Sequence, residues 1–77
     1  MLGFIYRLVR EFEQEHGIHP NLLYLNQFHA AHLKASFDQS YSMTQIMDIL
    51  GMELVIEHDI MHPHVAWTQT AKKVAAV

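Results

Sequence analysis

Cysteine is absent from the 77 residues, which removes a disulfide framework, a thiolate metal site and a cysteine nucleophile together. Glycine and proline are scarce. The three glycines, Gly3, Gly17 and Gly51, are isolated from one another, so no glycine-rich loop is present to cradle a phosphate. No Gly-x-Ser-x-Gly elbow occurs either, and the sequence offers no recognisable catalytic constellation. The expectation is a protein that is not an enzyme. No apolar run approaches the ~18 residues of a membrane span. Residues 1–6 are apolar but lack a basic leader and run into Arg7, Arg10 and Glu11, unlike a signal peptide. A cytoplasmic protein without membrane contact is expected.

Charge is in short supply. Charged residues make up 17% of the chain while hydrophobic ones make up 51%, against a usual charged fraction of about 25%. A small surface with so few charges must leave apolar side chains exposed, and contiguous exposed apolar area marks protein interfaces. A homodimer is the expected outcome, with another protein as a further candidate partner. Basic residues are fewest of all: Arg7, Arg10, Lys34, Lys72 and Lys73, within a net charge of −3. They fall in separate segments and form no stripe, so nucleic acid is not an expected partner.

What is present reads as a single small α+β domain spanning residues 1–77. A chain this short buries only roughly 60–65% of its unfolded surface and supports one core. Leu2, Ile5, Leu8, Val9 and Phe12 recur at the spacing of one helix face, which predicts an amphipathic helix over 2–16. Gly17 and Pro20 mark its end. Glu13 and Glu15 conflict with this helix, because negative charge in a last turn opposes the helix dipole. Phe4 and Tyr6 widen the apolar side and predict contact on two sides.

Leu22-Leu23-Tyr24-Leu25 suits a short strand buried on both faces. Asn26 reads as the N-cap of a helix over 27–37, with Phe28, Ala31 and Ala35, and on an adjoining stripe Leu33 and Phe37, turned to the core. Ser42 and Gln45 stand in capping-box relation and Tyr41 and Ile46 in staple relation, ahead of a helix over 43–50 that stops at Gly51. Leu54, Val55 and Ile56 predict a strand over 53–57. The result is an N-terminal helix followed by a β-α-α-β unit. Two strands make a weak sheet, so a third is expected from residues 65–68 or from a second subunit, with dimerisation completing the core. Residues 69–77 are expected to form a loose tail.

The stretch 41–52, Tyr-Ser-Met-Thr-Gln-Ile-Met-Asp-Ile-Leu-Gly-Met, resembles the first helix and turn of bacterial helix-turn-helix DNA-binding domains. That resemblance implies DNA binding, and it stops at the turn. The recognition helix should follow, yet 53–59 is strand-like, acidic and free of Lys and Arg.

Seven histidines are the unusual feature of composition. They form three groups: His16 and His19; His29 and His32; His58, His62 and His64. Imidazole binds zinc and other transition metals, and a site needs about four ligands, or three with an open position. The best local candidate is His58, His62 and His64 beside Glu57 and Asp59. His29 and His32, at i and i+3 of a helix, share a face and could take an ion with one further ligand. Glu13 with His16, and Asp59 with His62, have the spacing of di-iron ligands, but such sites need four long helices. Set against a metal site is the simpler reading of each histidine as a hydrogen-bonding or solvated residue. No cofactor is expected, with zinc the alternative. The five methionines fit core filling.

Overall fold

The computed structural model describes residues 1–69. It contains α1 (Leu2–His16), β1 (Leu22–Leu25), α2 (Gln27–Ala35), α3 (Met43–Leu50), β2 (Glu53–Ile56) and β3 (His64–Ala66). The expected tail falls, from residue 70 onward, outside the described residues. The class is α+β, an N-terminal helix followed by a β-α-α-β unit. The third strand comes from the chain itself, since β1 lies between a parallel β2 and an antiparallel β3.

The helices begin and end where local chemistry directs. α1 stops at Gly17, whose N–H donates to Glu13 O and whose φ is 72°. α3 opens on a reciprocal capping box between Ser42 and Gln45 and closes at Gly51 with φ 71°. L-residues avoid this left-handed region, and glycine enters it without a Cβ penalty. α2 starts at Asn26, whose Oδ1 accepts from His29 N at 2.8 Å, while Asn26 N donates to His29 Nδ1. Histidine thus takes the place that Glu or Gln holds in an ordinary capping box.

The core gathers Ile5 and Val9 from α1, Leu33 from α2, Ile46 and Leu50 from α3, and Leu23, Leu25 and Met52. Ala30, Phe37, Met43, Leu54 and Val65 pack against it. Strand alternation puts Leu23, Leu25, Leu54 and Val65 on one face of the sheet, in agreement with the register pairing Leu23 with both Leu54 and Val65. The three helices therefore send their buried side chains to that face.

Two expectations are corrected. Among the described residues β1 is fully buried on one face only: Leu23 and Leu25 are wholly inaccessible, whereas Leu22 and Tyr24 are half-buried. A continuous apolar run does not reveal that every covering helix lies on the same side. Around α2 Leu33 and Phe37 meet the core as expected, joined by Ala30, whereas Phe28, Ala31 and Ala35 are exposed. At 100° per residue, Phe28 and Ala35 lie opposite Leu33 and Ala30. The helix is apolar on both sides, and periodicity alone does not say which of the two stripes is buried.

Candidate interaction surface

β1 is fixed at both ends by asparagine amides. Asn21 Nδ2 donates to Thr68 O at 2.7 Å and Asn21 Oδ1 accepts from Thr68 N at 3.0 Å. The Asn21 backbone meanwhile bonds Ala66 O on one side and Glu53 N on the other. One residue thus joins all three strands. At the far end Asn26 Nδ2 donates to Ile60 O at 3.0 Å, holding the loop between β2 and β3.

On the sheet face away from the helices, the pairing register sets six side chains in two rows. Glu53, Leu22 and Ala66 form one row across β2, β1 and β3, and Val55, Tyr24 and His64 form the other. Leu22, Tyr24, Val55 and Ala66 are half-buried and none belongs to the core or packs against it among the described residues. The two ionisable residues, Glu53 and His64, occupy diagonally opposite corners. The surface is a small apolar centre with a carboxylate and an imidazole at its limits, the layout of an interface core with a polar rim.

The free edges of this sheet are partly covered. Glu53 N and Glu57 N donate to β1, so Leu54 N points outward from β2, where it meets Met47 Sδ at 3.3 Å. On the other side α1 packs along β3.

The histidines are dispersed. His16 stacks on Phe12 with ring centroids 4.3 Å apart. His19 Nδ1 lies 3.1 Å from Glu13 Oε2 and its Nε2 lies 3.2 Å from Leu50 O. Both partners only accept, so the ring satisfies the two together when doubly protonated and one at a time when neutral. This contact also gives Glu13 a use that offsets its unfavourable place at the end of α1. His29 Nδ1 accepts from Asn26 N at the α2 cap, and His32 is exposed. His58, His62 and His64 are all exposed. Among the described residues no three His, Asp or Glu side chains come together as a group able to hold a metal ion.

Other surfaces are less organised. A cavity of ≈ 160 Å³ between Asn21, Met47, Gly51 and Glu53 is too small for an ordinary ligand, which needs roughly 300 Å³. A wider groove of ≈ 460 Å³ runs beside the outward side of α2, over Ala31, Ala35 and Phe37. Phe28, 69% exposed, and Met61, 80% exposed, are the most open large apolar side chains among the described residues. After Gly51 the chain enters β2, so a strand stands where a recognition helix would follow the turn. Among the described residues no helix is long and apolar enough to cross a membrane.

No family model, curated protein or solved structure matches the chain.

Proposed function

We propose that the chain is a small protein-interaction module that acts as a homo-oligomer, joining copies through the open face of its sheet. The observation that carries this reading is the central strand: an unbroken apolar run whose Leu22 and Tyr24 lie on a face that the three helices leave free. Val55 and Ala66 extend that apolar surface to the neighbouring strands. A sheet face is rigid, so covering it costs little ordering entropy. The low charged content supports the same reading.

The face is small. Three strands of about four residues make a face roughly 13 by 14 Å, on the order of 200 Å² in flat outline, well under the ~800 Å² that each partner contributes to a standard interface. A contact confined to these six residues would be weak, and flanking residues must enlarge it.

Sedimentation equilibrium from low to several hundred micromolar tests the reading. A mass rising from one chain toward two is expected, and it should remain at one chain for Val55→Glu. A wild-type chain monomeric over the whole range overturns the proposal.

A further inference from the structure

The corner charges specify how two copies meet. We propose that the open sheet faces of two chains stack crosswise about a two-fold axis, at about 70°, so that Glu53 of each copy meets His64 of the other. This inference rests on the reading of that face as a self-association surface.

Two facing sheets can be related by a two-fold axis lying in the plane between them, and the direction of that axis decides which residues oppose. With the axis along the strands, Glu53 is set on the partner's Ala66 and His64 on the partner's Val55. Both ionisable groups then oppose apolar side chains and lose hydration without a partner. With the axis across the strands, Glu53 meets the partner's Val55 and His64 the partner's Ala66, with the same defect. A third choice places the axis perpendicular to the diagonal from Glu53 to His64. With strands about 4.8 Å apart and same-face residues about 6.8 Å apart along a strand, that axis lies roughly 35° from the strands. The sheets then cross at about twice that angle, close to the orthogonal class of sheet packing.

In the crossed arrangement the six positions sort by chemistry. Glu53 opposes His64, Tyr24 falls beside Val55, and Leu22 falls beside Ala66, each contact occurring twice by symmetry. An imidazole N–H can donate to the carboxylate in either charge state of the ring. The apolar centre is covered by apolar groups, and the polar corners stay at the rim, where water still reaches them. Among the three axes, this one alone leaves neither corner opposite an apolar residue.

Charge reversal with mixing is the test, followed by sedimentation at one fixed pH. Glu53→Lys alone takes from His64 the carboxylate it donates to, and His64→Glu alone sets two carboxylates together. Each substitution counts twice in the pair, so each single variant should associate about tenfold more weakly than the wild type. An equimolar mixture of the two variants should regain association, because the introduced lysine of one chain then meets the introduced glutamate of the other while the native Glu53 and His64 also meet. The double variant Glu53→Lys/His64→Glu should self-associate as the wild type does. Circular dichroism on each variant identifies any that has lost its fold, and the double variant retains a readout if one single variant does. Singles that associate as tightly as the wild type, or weakened singles that neither mixing nor the double variant restores, overturn the crossed arrangement while leaving the face in place. A monomeric wild type overturns both.

Discussion

Asn21 and Asn26 bracket β1, and each spends its side-chain amide on backbone far along the chain. Removing such a partner leaves a half-buried backbone donor or acceptor without its bond, at a cost of about 1–3 kcal/mol. Asn21→Asp keeps the shape but replaces the Nδ2 donor with an oxygen that faces Thr68 O. Its midpoint of thermal unfolding should fall by roughly 5–20 °C, followed by circular dichroism. An unchanged midpoint would show that the Thr68 clasp contributes nothing. Asn26 was legible in the sequence because a helix cap acts three residues away. Asn21 reads only as a turn residue beside Pro20, since its partner Thr68 lies 47 positions later. His29 as the reciprocal member of the cap was equally hidden, because pattern rules look for Glu or Gln at that place.

Helix ends provide a comparison between two elements with the same geometry. Gly17 and Gly51 both hold φ near +70°, so alanine at either is strained by about 1–2 kcal/mol. A Cβ at Gly17 meets nothing within 4 Å, whereas one at Gly51 would approach His19 Nε2 to 3.3 Å. Gly51→Ala should therefore be the more destabilising in urea unfolding, and the excess should vanish when His19→Ala is also present, as a double-mutant cycle measures. Equal costs for the two glycines would remove His19 as a clasp between the end of α3 and the turn after α1. α1 and α3 were readable because stripe, cap and stop all agreed. α2 ends at Ala35, two residues before the expected bound, and only one of its two expected stripes is buried: Phe28, Ala31 and Ala35 make as good a stripe as Ala30 and Leu33, and only the tertiary arrangement separates them.

At the scale of the whole molecule, class and element order follow from sequence periodicity, and the third strand expected near 65–68 lies at His64–Ala66. One-sided coverage of the sheet did not follow, because Leu22 to Leu25 are apolar at every position and conceal which face is free. The open face carries its own prediction. Tyr24→Lys, on a side chain outside the core cluster, should leave the unfolding free energy of a dilute sample within about 0.5 kcal/mol of the wild type while abolishing association at high concentration. A collapse of the dilute fold would instead give Tyr24 a structural part within one chain. The outer edge of β2 has a different consequence. Leu54 N–H of β2 is turned to the Met47 sulfur, so this donor on the outer margin is not free to pair with another strand. Two sheets stacked about a two-fold close on themselves, whereas edge-to-edge addition has no natural end. The stacking proposed above therefore implies discrete pairs and not fibres.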